Sequence, residues 1–292
     1  DEEKNVPFAR RLEAAGVHVA YGVVGLKTHC KCSVVVRRER VDGQWGIRTY
    51  CHIGTGNYHP KTAQLYTDLG LLTCDPAITS DAAHLFNALT GHAAEQHYER
   101  LLVAPVHMRS RFIAMIEREI EHAQAGRPAR IMAKMNSLED RDVTEALYRA
   151  SNAGVKIDLV VRGFCCLRPG VPGMSQNVTV RSIIGRFLEH SRIYAFANGS
   201  ADPNEYEYFI GSADWMYRNL SARVECITPV PDPEARARLA GIFDVILRDR
   251  RNAWLINSEG RSEQLMPPPD ADPDSPEALG TFATLMKLAA HA

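Results

Sequence analysis

The chain lacks several features that would place it quickly. It carries almost no net charge, formally -1 at pH 7, so it is not a polycation that holds nucleic acid by bulk electrostatics, and any polyanion site must be a local basic cluster. No window approaches the length and apolarity of a membrane-spanning helix. The opening residues, Asp1-Glu2-Glu3-Lys4, include neither an initiator methionine nor an apolar leader. Cysteine is present without a framework: the seven residues Cys30, Cys32, Cys51, Cys74, Cys165, Cys166 and Cys226 are odd in number and irregularly spaced, which favours free thiols and a cytoplasmic location over a secreted disulfide scaffold. What is there is an ordinary apolar fraction in 292 residues, enough for two modest α/β domains with a real core.

The residue pattern richest in chemistry is Gly25-Leu26-Lys27-Thr28-His29-Cys30-Lys31, at the head of the β-branched run Ser33 to Val36. On a strand, His29 and Lys31 leave the same face. Neutral imidazole beside a fixed ammonium group suits attack on a phosphoryl centre, the lone pair coming from His29 and Lys31 stabilising charge on the phosphate oxygens. An isolated His-x-Lys is more often a partly buried histidine beside a solvated lysine. The rest of the chain decides between these.

Along the chain, Phe8 to Ala15 predicts a helix stopped by Gly16, with no strand before it, and Val17 to Tyr21 predicts a strand. Val41-Asp42-Gly43-Gln44 marks a hairpin turn and Gly46 to Ile53 the returning strand. Ser80 to Gly91 predicts a helix capped by Ser80, and a boundary near residue 98 follows. Leu101 to Ala104 opens the second unit as a strand, followed by a helix through Met108, Phe112, Ile116 and Ile120. Strand, helix and strand alternate at Ala129 to Met135, Asp140 to Gly154 and Lys156 to Val161, the pattern of an α/β sheet with parallel crossovers. Further strands are expected at Val178 to Ile184, His190 to Phe196 and Tyr208 to Ser212. A helix is expected from Pro233 to about Leu255, with Arg248-Asp249-Arg250-Arg251 a solvated turn of it. A Pro/Asp linker from Met266 and a short helix over Leu279 to Ala290 close the chain, with no chemistry assigned.

The first motif is echoed one domain later. Ile184-Gly185-Arg186-Phe187-Leu188-Glu189-His190-Ser191-Arg192 repeats the order of glycine, basic residue and His-x-basic, and Gly54-Thr55-Gly56-Asn57 is answered by Gly211-Ser212-Ala213-Asp214. Small residues there admit an anion to backbone N–H groups, and Asn57 or Asp214 could hold a histidine tautomer. Two such half-sites facing each other make one two-histidine phosphate centre.

Paired His-x-basic half-sites on α/β repeats resemble the phospholipase D superfamily, although the positions of that family's motif aspartates are Val36 and Ala197 here, and Arg192 replaces the second lysine. The stretches GLKTHCK (25-31), HIGTGNYHPKTAQLYTDLGLLT (52-73), PARIMAKMNSLED (128-140), DLVVRGFCCLRPGVPG (158-173), RFLEHSRIYAF (186-196) and IGSADWMYRNL (210-220) resemble a branch of it, the type 1 bacterial polyphosphate kinases, over nearly the whole chain. The fold class this implies is α/β, two phospholipase D-like domains with mixed sheets flanked by helices. The first would span 1–98 and be N-terminally truncated, the second 99–262, with 263–292 a linker and tail.

The resemblance also implies an activity, ATP-polyphosphate phosphotransfer through a phosphohistidine. It assigns the phosphorylated residue to His29 and a nucleotide-phosphate contact and acid–base partner to His190. Tyr66 and Arg162 match further nucleotide-contacting residues, and an arginine at the end of a strand suits a polyphosphate clamp. Lys31, Arg168, Arg192 and Arg218 are weaker candidates for the same channel. ATP is the implied substrate and Mg²⁺ the implied cofactor, with the family's magnesium-associated arginines falling before Asp1. A homo-oligomer and peripheral membrane association are implied, and no nucleic-acid partner. Two rival readings are a phospholipase D-like phosphodiesterase and a truncated, non-catalytic polyphosphate-binding protein. Cys30 and Cys32 do not complete a zinc site with His29, because both point away from its face. His18, His52 and His59 show no spacing that implies chemistry.

Overall fold

In the computed structural model, residues 5–41, 43–91 and 97–290 are described. Helix α1 (Asn5–Ala14) ends at Gly16, whose φ of +83° suits glycine best. The expected strand at Val17 to Tyr21 is irregular: no described strand pairs with it, and most of its side chains face solvent. Strand β1 (Lys27–Thr28) is followed after a break by the long hairpin β2 (Lys31–Val41) and β3 (Gln44–Gly54). These pair antiparallel from Lys31↔Gly54 to Val41↔Gln44. A short helix α2 (Pro60–Ala63) leads to β4 (Tyr66–Thr67), and β5 (Gly70–Thr73) then pairs with β3. Helix α3 (Pro76–Leu89) begins ahead of the expected cap. Asp75 accepts from the N–H groups of Ala77 and Ile78, and proline takes the first helical position, so Ser80 lies exposed inside the helix.

The second part contributes β6 (Leu102–Ala104), α4 (Met108–Gln124), β7 (Arg130–Met135), α5 (Arg141–Asn152), β8 (Lys156–Val161) and β9 (Val178–Ile183). Then come β10 (Leu188–Glu189), β11 (Ile193–Phe196), β12 (Glu207–Gly211), α6 (Tyr217–Ser221), β13 (Arg223–Pro229) and α7 (Pro233–Arg248). The last elements are β14 (Ala253–Ile256), β15 (Ser262–Gln264) and α8 (Pro276–Ala290). Ten of the described strands form a mixed sheet in the order β1-β13-β12-β11-β7-β8-β9-β14-β15, with β6 beside β1 on the edge of β13, while β2, β3 and β5 form a three-stranded sheet and β10 pairs with β4. The α/β class with a mixed sheet is therefore as expected. Its crossovers β7-α5-β8 are parallel, and antiparallel strands flank them on both sides.

Periodicity explains how the sheet is covered. The apolar stripe of α4, including Phe112 and Ile116, packs with Leu147 of α5 and with Leu159, Tyr194 and Trp215 in one core. Phe243 and Ile246 of α7 and Phe282 of α8 fill the other face. Ile53, Ile78 and Leu85 from the N-terminal part share a third cluster with Val103 and Cys226, so the two parts meet through apolar contact.

Two further expectations change. Helix α7 stops at Arg248 because the wholly buried Asp249 carboxylate accepts from the N–H groups of Arg251 and Asn252, turning the chain into β14. Within the charge run only Asp249 is buried, as a cap, while Arg248, Arg250 and Arg251 are exposed as expected, Arg248 pairing with Glu277. Asp249 also accepts from the Thr281 N–H and hydroxyl, both at 2.7 Å, which docks α8. Gly280, with φ +77°, permits the kink there, since a Cβ would sit 2.1 Å from the Asn252 amide oxygen.

Candidate active site

Both histidines lie in breaks rather than in strands. His29 follows β1 and precedes β2, and His190 follows β10 and precedes β11, so neither His-x-basic unit is continuous strand as expected. The cause is a pairing across the two halves. Lys27 and Thr28 lie parallel to Arg223 and Val224, which brings His29 opposite Glu225. Leu188 and Glu189 lie parallel to Tyr66 and Thr67, which brings His190 opposite Asp68. Each histidine is thus met by a carboxylate from the other half, through a matching two-residue strand pair.

The contacts follow the register. His29 Nδ1 lies 2.9 Å from the Glu225 carboxylate, and His190 Nδ1 lies 2.7 Å from Asp68 Oδ1. Glu225 is wholly buried and also accepts from the Ser212 hydroxyl and from Asn219 Nδ2. Asp68 accepts from the Thr55 hydroxyl at 2.6 Å. With carboxylates on both Nδ1 atoms, each ring holds its proton at Nδ1 and turns its Nε2 lone pair the other way. Asn57 and Asp214, considered from the sequence, do not hold the rings. Asn57 is exposed. Asp214 instead accepts from the Asn136 N–H at 2.7 Å and from the Arg192 guanidinium at 3.2 Å.

The two half-sites differ at Nε2. Arg192 Nη1 lies 3.0 Å from His190 Nε2 and 3.0 Å from the His190 carbonyl. The matching Lys31 ammonium turns back to the His29 carbonyl at 2.5 Å. Among the described residues no hydrogen-bond partner sits at His29 Nε2, so that lone pair is available. Burial lowers the basicity of both imidazoles, opposed by Glu225 or Asp68 and reinforced by the nearby Lys31 and Arg192 charges. Both rings are therefore disposed to stay neutral. Burial also lowers the Lys31 ammonium to about 8.

Of the other residues expected at the site, Tyr66 packs its ring 4.9 Å from that of His190. Arg162 donates to the Asn136 side chain at 2.8 Å and shares the electrostatic surroundings of Asp214, Arg192 and Tyr66. Arg168 is not brought in, because its guanidinium donates to the Ser258 carbonyl on a different loop. Arg218 is exposed, and its charge acts on Arg223, which in turn acts on Lys31. Sequence reasoning missed Glu225, Asp68, Asn219 and Arg223. It also missed Lys134, which is buried against Glu189 at 3.0 Å and the Ser191 hydroxyl at 2.9 Å. A buried lysine in an apolar strand was the one available signal.

The donor set does not suit a protein-held magnesium ion. Glu225, Asp68 and Asp214 are each engaged by N–H or O–H donors, and among the described residues no group of three or more His, Cys, Asp or Glu side chains is arranged to hold a metal. All seven cysteines are free thiols. No described helix is long and apolar enough to cross a membrane.

Residues 1–95 match the model of polyphosphate kinase C-terminal domain 1, and residues 101–275 that of polyphosphate kinase C-terminal domain 2. The chain is 54% identical over 281 residues to a polyphosphate kinase of Synechocystis sp. (strain ATCC 27184 / PCC 6803 / Kazusa), covering 96% of this chain and 38% of that protein. It is 57% identical over 269 residues to a polyphosphate kinase of Thermosynechococcus vestitus, covering 92% of this chain and 36% of that protein. The crystal structure of polyphosphate kinase from Porphyromonas gingivalis superposes with a TM-score of 0.88 at 35% identity, over 100% of this chain and 43% of that one. The chain thus spans about two fifths of the length of these relatives. With both domain models matched in order and this identity across nearly its whole length, the chain belongs to the polyphosphate kinase family.

Proposed function

We propose that this chain carries the phosphoryl-transfer centre of a polyphosphate kinase, moving the γ-phosphate of ATP reversibly to the end of inorganic polyphosphate through phospho-His29. The observation that supports His29 over His190 is the asymmetry at Nε2: open on His29, occupied by Arg192 on His190. In the first step, His29 Nε2 attacks the γ-phosphorus in line. The N–P bond forms as the bond to the bridging oxygen breaks, and that electron pair leaves with ADP. The imidazole becomes cationic, and the buried Glu225 at Nδ1 stabilises it. In the second step a terminal polyphosphate oxygen attacks the same phosphorus, and the N–P electron pair returns to Nε2 while the proton stays at Nδ1. Lys31, Arg162 and Arg192 neutralise phosphate oxygens, and His190, held by Asp68 and packed on Tyr66, aligns the nucleotide phosphates. Mg²⁺ belongs to this reading as the counter-ion that the nucleotide brings, and no step here depends on it.

A phosphodiesterase is the weaker reading, since Val36 and Ala197 stand where that chemistry would need aspartates. We take the two catalytic units to meet near residue 98. The test is labelling with γ-labelled ATP and Mg²⁺ beside His29→Ala. Acid-labile, base-stable label on Nε2 of His29, absent from the variant, is expected. No label on this chain, with a full-length relative labelling normally, would leave the non-catalytic reading in its place.

A further inference from the structure

A second cluster of cations lies at the opposite end of the large sheet. A cavity of about 450 Å³ is lined by Arg100, Arg111 and Arg118, by Arg236 near the start of α7, and by Glu99 and Glu207. Strand β12 separates it from the histidine pair. Glu207 begins that strand in the cavity, whereas Ser212 and Asp214 follow its end at the centre. The length of the strand is about 13 Å at 3.3 Å per residue.

The charges in this groove do not balance. Arg118 is paired with Glu207, and Arg100 lies 3.6 Å from Glu99. Among the described residues no acidic side chain lies within ion-pair distance of Arg111 or Arg236. The groove therefore holds guanidinium donors that its own residues leave unused, an arrangement suited to phosphate oxygens.

Spacing selects the form of the anion. Arg111 and Arg118 stand seven residues apart on one stripe of α4, about 10 Å along the axis. An extended chain of linked phosphates matches this spread along the helix, whereas one orthophosphate would have to draw the two side chains together. The aromatic wall residues Tyr208 and Phe209 are buried, at 1% and 8% exposure, which leaves them little face on which a base could stack. We infer that this groove is a second phosphoanion site, remote from the histidines, for an extended oligophosphate chain. The site needs no transfer at His29, so it stands or falls separately from the proposed activity.

The test is hydrogen exchange by mass spectrometry on the full chain with sodium tripolyphosphate, with ATP and orthophosphate as parallel arms. Tripolyphosphate should slow exchange in peptides covering 108–118 and 228–237, at a concentration at least about tenfold below that needed for orthophosphate. ATP should act weakly at the groove. The double variant Arg111→Gln with Arg236→Gln should lose this protection, and Arg111→Lys with Arg236→Lys should keep most of it; neither arginine has a described carboxylate partner to leave unpaired. In Arg162→Ala, groove protection should persist whatever happens at the centre. Three results would each overturn the site: no protection at the groove, protection that survives the double glutamine change, or equal potency of orthophosphate. Stronger protection there by ATP than by tripolyphosphate would replace the inorganic chain by a nucleotide.

Discussion

The most demanding consequence of the site geometry concerns Glu225→Gln. The native carboxylate is wholly buried and receives His29 Nδ1 at 2.9 Å, Asn219 Nδ2 at 2.5 Å and the Ser212 hydroxyl. A glutamine keeps the shape but has one acceptor oxygen and an NH₂ group. The oxygen can serve His29 and Ser212 together. Asn219 can turn its amide to accept from the new NH₂, because its own Oδ1 has no partner. The fold should then lose only the excess of charged over neutral hydrogen bonds, about 1 kcal/mol. The chemistry should lose far more, since the imidazolium formed on transfer no longer meets a buried negative charge. A drop of about 10²- to 10⁴-fold in the labelling rate is expected, as for removal of a preorganised electrostatic partner or a histidine-orienting carboxylate. The His29 pKa, already below its ordinary value, should fall further, because Glu225 is what opposes burial there. Urea denaturation, histidine NMR titration and γ-labelled ATP measure the three quantities. A parental labelling rate together with an unshifted His29 would refute the assignment of Glu225 as the partner of the reacting ring.

Two other outcomes follow from named groups. Because Lys31 titrates at about 8 in the folded chain, oligophosphate affinity at the centre should fall as pH rises through that value. The unfolded chain binds the extra proton from there up to the ordinary lysine range, so stability should rise with pH over the same window. Lys31→Arg, the residue type present in the other half-site, should flatten both profiles, and an affinity limb that persists in that variant would exclude Lys31 as its source. Phe282, 7% exposed and 6.0 Å from Phe187 between ring centres, anchors α8. Phe282→Ala should cost about 3 kcal/mol in urea unfolding, and a loss below about 1 kcal/mol would show that the helix is held by the Asp249 contacts alone.

Local pattern read correctly where the apolar spacing along one element sets its structure. The stripe of α4, the hairpin around Gly43 and the strand Lys156 to Val161 are all set by spacing and turn chemistry. Pattern failed at Val17 to Tyr21, which pairs with no described strand, at Ser80, which lies inside the helix that Asp75 caps, and at Asp249, where a charge in a basic run is a buried cap.

The candidate site divides in the same way. The two His-x-basic units and their glycine-bearing echoes are visible as a repeat, and with them the chemical type of the site. The carboxylates are not, because Glu225 lies 196 positions from His29 and Asp68 lies 122 from His190. They arrive through two-residue parallel pairings too short to show periodicity. The distinction between an open Nε2 on His29 and an occupied one on His190 depends on where the Arg192 guanidinium packs, against Asp214 and the Thr55 carbonyl. Residue type placed two histidines and their basic neighbours in the chain; only packing across the two halves decided which imidazole keeps a lone pair free to react.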